Sequence, residues 1–78
     1  MKEIEASKIV DCIGDNCPMP LVKTREAIMK SRKGEVIKVI GTHPESFKEI
    51  PMALEALGIK IIEKKMEKDG RWGILFEV

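Results

Sequence analysis

Two prolines separated by one residue, in the run Cys17-Pro18-Met19-Pro20, are the tightest local constraint on this chain. Each removes a backbone donor and holds φ near about −65°, a combination tolerated at the first turn of a helix. Turn chemistry precedes the run as Gly14-Asp15-Asn16. Before that, Lys8 to Ile13 alternates, with Val10 and Cys12 on one face and Ile9, Asp11 and Ile13 on the other, which predicts a strand. A helix is expected from about Pro18 to Arg32. Leu21, Val22, Ile28 and Met29 would form its apolar side, and Gly34 stands where a C-terminal cap belongs.

Val36 to Ile40 reads as a second strand ended by Gly41, so strand, helix and strand imply a parallel pair. Thr42 and Glu45 have the spacing of a capping box, and Phe47, Ile50, Leu54 and Leu57 mark an amphipathic helix closed by Gly58. Pro51 cannot donate to the carbonyl of Phe47, so this helix is expected to kink there or to begin in earnest at that point. Ile59 to Met66 and Arg71 to Val78 are strand-like runs joined around Asp69-Gly70, with Trp72, Ile74, Phe76 and Val78 on the core face of the last. The expected architecture is an α/β (α+β) two-layer sandwich of order βαβαββ, a mixed four-stranded sheet with both helices on one face. A chain of 78 residues suits one domain, 1–78.

Composition removes several function classes. Lys plus Arg number 14 against 13 Asp plus Glu, interspersed without blocks, which argues against a dedicated DNA binder. Phe47, Trp72 and Phe76 are the only aromatic residues, too few for a stacking platform, so RNA binding is disfavoured. The N-terminus lacks the apolar segment of a signal peptide and no stretch approaches the ~20 apolar residues of a membrane span, which predicts a cytoplasmic protein with no membrane partner.

The chemistry-bearing residue is Cys17, a thiol expected at a helix start. Of the three residues after it only Met19 keeps a backbone donor, so the Met19 amide and the positive end of the helix dipole would both favour thiolate. Lys23 and Arg25 add positive potential while Asp15 opposes it, which leaves the net direction of the thiol's shift open. Cys12, inside a predicted strand, reads as packing. A Cys12–Cys17 redox pair is the alternative, and it requires the Gly14 turn to fold back, because five extended steps span up to ~17 Å. His43 reads as a surface cap of the second helix. No ligand spacing suggests a metal site, and no cofactor is implied.

Asp11-x-x-Gly14-x-x-Cys17-Pro18-x-Pro20, followed by Leu21-Val22-Lys23 and later by His43-Pro44 through Ile50-Pro51, resembles the TusA/SirA/YedF-like sulfur carriers from about Val10 to the C-terminus. The resemblance implies the sandwich also seen in the C-terminal domain of translation initiation factor three. It implies a sulfurtransferase-type relay in which Cys17 carries a sulfane sulfur as a persulfide, with Asp11, Gly14, Pro18, Met19, Pro20 and Lys23 supporting the CPxP motif. The partners would be a sulfur-donor protein, a cysteine desulfurase or rhodanese-like enzyme, and an acceptor protein thiol. Pathways of the family include tRNA thiolation and sulfur supply for cofactors. Departures are Asp15, where the family is usually apolar, His43, where Asp is frequent, and the added Cys12. The ending Glu77-Val78 differs from the Gly-Gly tail of thiocarboxylate carriers. Competing readings are a Cys12/Cys17 dithiol redox regulator and a non-catalytic RNA- or protein-binding module.

Overall fold

The hydrophobic pattern condenses into one mixed sheet. In the computed structural model, which describes residues 6–16 and 19–78, the order is β1 (Lys8–Cys12), α1 (Met19–Met29), β2 (Val36–Gly41), α2 (Pro44–Ala56), β3 (Lys60–Met66) and β4 (Trp72–Glu77). The strands lie in the order β1-β2-β4-β3. β1 runs parallel to β2 with Cys12 beside Gly41, and β4 is antiparallel to both β2 and β3. Alternation along the strands decides which face the helices cover. Cys12, Ile37, Val39, Ile74 and Phe76 are fully buried on that face with Trp72, and Ile50 and Leu54 close the core from α2.

Helix α1 buries only part of the expected side. Pro20 and Thr24 are buried, and Leu21, Ala27 and Ile28 pack against the core, whereas Val22 is 41% and Met29 83% exposed. At about 100° per residue, Val22 and Met29 both lie roughly opposite Pro20, so the helix cannot bury them with it. The buried Thr24 hydroxyl is satisfied by donating to the Pro20 carbonyl at 2.7 Å. The helix also stops short of Arg32. Ser31 donates its hydroxyl to the Ala27 carbonyl at 2.6 Å, and Gly34, at φ +96°, turns the chain into β2 instead of capping α1.

Helix α2 runs through Pro51, which is buried inside it. Leu57, expected in the core, is 60% exposed because it is the C-cap residue, past the last turn that faces the sheet. The β3–β4 connection follows expectation. Gly70, at φ +95°, takes the left-handed position, and the Asp69 carboxylate accepts from the Arg71 backbone N–H at 3.1 Å and from Arg71 Nε at 2.9 Å. These contacts hold the Asp69 carboxyl below, and the Arg71 guanidinium above, their usual values.

Candidate functional site

Asp11 and Gly14 lie where β1 and β2 end, and Lys23 reaches the same turn through Asp15. Asp11, the penultimate residue of β1, accepts the Ile13 N–H on Oδ1 at 3.0 Å and so bends the chain as it leaves the sheet. The turn closes with the Asp15 N–H donating to the Cys12 carbonyl at 3.0 Å, with Gly14 at φ +86° in its third position. A side chain with a Cβ is strained at that φ, which is why glycine stands there.

The turn is also tied to the neighbouring strand. The Gly14 N–H donates to Thr42 Oγ1 at 3.1 Å, across 28 residues of sequence. Thr42 therefore does not cap α2. That position belongs to His43, whose Nδ1 accepts from the Ser46 N–H at 3.3 Å and lies 2.9 Å from Ser46 Oγ. His43 is thus a cap, as its place beside Pro44 suggested, while its carbonyl accepts from Trp72 Nε1 at 2.9 Å. The parallel pairing of Cys12 with Gly41 brings Thr42 beside Gly14. Nothing local in the sequence marks Thr42 as a partner of this turn, and its Thr-x-x-Glu spacing points elsewhere.

Cys17 and Pro18 lie outside the described residues, as do the expectations attached to the Cys17 sulfur. Their flanks are described. The Met19 N–H donates to the Asn16 carbonyl at 2.9 Å, so this amide has a partner in the turn. Pro20 is buried, whereas Met19 is 44% exposed. Lys23 Nζ meets Asp15 Oδ2 at 2.5 Å, joining the residue two before Cys17 to the second turn of α1. The Asp15 hydrogen bond raises the Lys23 ammonium above its ordinary pKa. Two charges expected to act separately are thus one partly exposed pair. Cys12 is fully buried, and burial pushes its thiol up, with Lys23 opposing and Asp15 and Asp11 adding to the shift.

The family model described as Sulfurtransferase TusA matches residues 8–78. The chain belongs to the TusA family. Among TusA-family relatives, a provisionally named sulfur carrier protein of Archaeoglobus fulgidus is 36% identical over 63 residues, covering 81% of this chain and 82% of the relative. One from Thermotoga maritima, provisionally named in the same way, is 30% identical over 78 residues, covering 100% and 99%. YedF of Escherichia coli strain K12, likewise a provisionally named sulfur carrier, is 33% identical over 70 residues, covering 90% and 88%. The crystal structure of a SirA-like protein from Desulfitobacterium hafniense superposes with a TM-score of 0.79 at 19% identity, covering 91% of this chain and 96% of that one, and shares the fold. The α+β sandwich read from the periodicities is therefore the TusA-family fold. Within the TusA frame, Asp11 and Gly14 build the turn, Pro20 anchors α1, and Lys23 holds Asp15. No helix among the described residues is long and apolar enough to cross a membrane.

Proposed function

We propose that this chain is a sulfur carrier that takes a sulfane sulfur as a persulfide on Cys17 and relays it to an acceptor protein thiol, working as one unit over 1–78 in the cytoplasm. The observation that carries the reading is the Cys17-Pro18-Met19-Pro20 run at the head of α1, in a chain matched to the TusA family over residues 8–78. The Cys17 thiolate attacks the terminal sulfur of a donor persulfide; a Cys17 S–S bond forms, the donor S–S bond breaks, and the donor leaves as a thiolate. An acceptor thiolate then attacks the same sulfur and releases Cys17. Neither step changes the total oxidation level, so no external oxidant or reductant enters. The donor would be a cysteine desulfurase or rhodanese-like protein, and tRNA thiolation or cofactor sulfur supply the downstream use. The burial and raised pKa of Cys12 weigh against the dithiol reading.

Intact mass after incubation with a cysteine desulfurase and cysteine tests this. A gain of one sulfur atom, removed by a reducing agent, is expected in the wild type and in Cys12→Ala and is expected to be absent in Cys17→Ser. Absence of any gain with several donors, from a folded and alkylatable protein, would refute it.

Asp15 gives a second test. Its Cα lies within about 7 Å of that of Cys17 by chain length alone. Asp15→Asn removes a carboxylate near the thiol and frees the Lys23 ammonium, and both changes favour thiolate. The pH profile of Cys17 alkylation should move to lower pH, with little change in stability because the pair is partly exposed. A profile that stays put or moves upward would show that the pair does not govern the thiol.

A further inference from the structure

The two-layer sandwich leaves one face of its sheet uncovered, on the side away from both helices. Ile40, Ile62 and Leu75 are half-buried there, and Ile9 at the β1 edge is 65% exposed. The Lys38 stem lies over Gly73, with its Cε 3.4 Å from where a Cβ on that glycine would stand. Clusters of exposed apolar side chains on a small protein mark interaction surfaces.

The strand registers indicate what fits. Lys38 on β2 is paired with Leu75 on β4, and Leu75 is paired with Glu63 on β3. These residues therefore form one row across the open face, positive on one side of Leu75 and negative on the other. Neither Lys38 nor Glu63 has an ion-pair partner among the described residues. A two-fold axis lying in the interface and running close to β4 carries β2 of one copy over β3 of the other. It sets Leu75 against Leu75 and each Lys38 against the other copy's Glu63.

We propose that a second copy of this chain docks on this face, sheet against sheet, about that axis. Two twisted sheets pack this way at about 10 Å with strands about 30° apart, which places the axis within roughly 15° of β4. The axis overlays β2, β4 and β3 of one copy on β3, β4 and β2 of the other and leaves β1 beyond the overlap, so the contact is smaller than the ~800 Å² per partner of a standard interface. A face that binds nucleic acid or an anionic membrane would carry one sign of charge, whereas the row through Leu75 carries both and complements itself.

Sedimentation equilibrium of the full chain from about 1 μM to about 1 mM tests the proposal, a range that reaches the weak association of a small interface. A monomer–dimer equilibrium is expected. Lys38→Glu and Glu63→Lys should each raise Kd by at least about tenfold by placing like charges together, and the double variant Lys38→Glu/Glu63→Lys should restore it by re-forming the pair reversed. Both positions are exposed, so folding is retained, and circular dichroism verifies it. Met52→Glu, on the 68% exposed outer side of α2, should leave Kd unchanged. A monomer throughout the range overturns the proposal in favour of a face covered within the chain or by another protein. So does a dimer that ignores the charge reversals, one that the double variant fails to restore, or one that Met52→Glu disrupts.

Discussion

Alanine at position 41 is expected to destabilise the protein by about 2–3 kcal/mol and to lower its melting temperature by roughly 10–20 °C. Gly41 ends β2 directly opposite Trp72, and a Cβ there would stand 2.7 Å from Trp72 Cζ2 and 2.8 Å from Cη2. Neither atom is the end of a flexible chain. The indole is buried, rests against Phe47 with ring centroids 5.8 Å apart, and donates Nε1 to the His43 carbonyl. Moving it away from the methyl therefore costs packing and the His43 hydrogen bond together, at about 1 kcal/mol for the bond. Gly73→Ala is the internal control. Its nearest contact is the mobile end of Lys38, so urea unfolding should shift by no more than about 0.5 kcal/mol. Equal losses at the two positions would contradict the close approach of Gly41 and Trp72.

The second large effect is an all-or-none difference between the two thiols. Under native conditions the wild type should take up one equivalent of a maleimide, and two after denaturation, while Cys17→Ser should take up none until it unfolds. The reason lies with Cys12. It has no exposed surface, and burial raises its pKa more than the Lys23 ammonium lowers it, so the reactive thiolate is scarce and the reagent cannot reach it. Its labelling must wait for opening of the β1–β2 pair, which suppresses the rate by the equilibrium constant for that opening. Rapid native labelling of Cys12 in Cys17→Ser would return weight to a dithiol mechanism. Cys12→Ala suits the functional assays better than a serine variant, because a hydroxyl at this fully buried site would need a partner.

The element order, the faces of β1 and β4, and the Asp69-Gly70 hairpin were legible in the sequence because each rests on residues close in the chain. Alternation put Cys12 inward and Asp11 outward, and the structure has Cys12 buried and Asp11 exposed. The helix faces were harder to read. In α1 the apolar count favoured Val22 and Met29, yet the buried line uses Pro20, Thr24 and Ala27, two of which are small or polar. A threonine that returns its hydroxyl to its own helix buries as readily as an apolar residue, and a hydrophobicity pattern scores it as surface.

For the site, Asp11, Gly14, Pro20 and Lys23 were marked by the family resemblance, and the turn that Asp11 and Gly14 build follows from local hydrogen bonds and a positive φ. The thiol's place in the sequence and the family frame were likewise determined by the chain of residues alone. What only the tertiary structure decided is who touches whom across long separations. Thr42 leaves a capping box to bind Gly14, Lys23 closes on Asp15, and Gly41 lies under Trp72. The Thr42 and Gly41 contacts exist because β2 lies between β1 and β4, which brings segments tens of residues apart within bonding distance. Side-chain spacing along one segment carries no record of which strand will lie beside it. That choice is made by burying the inward faces of all four strands under two helices at once.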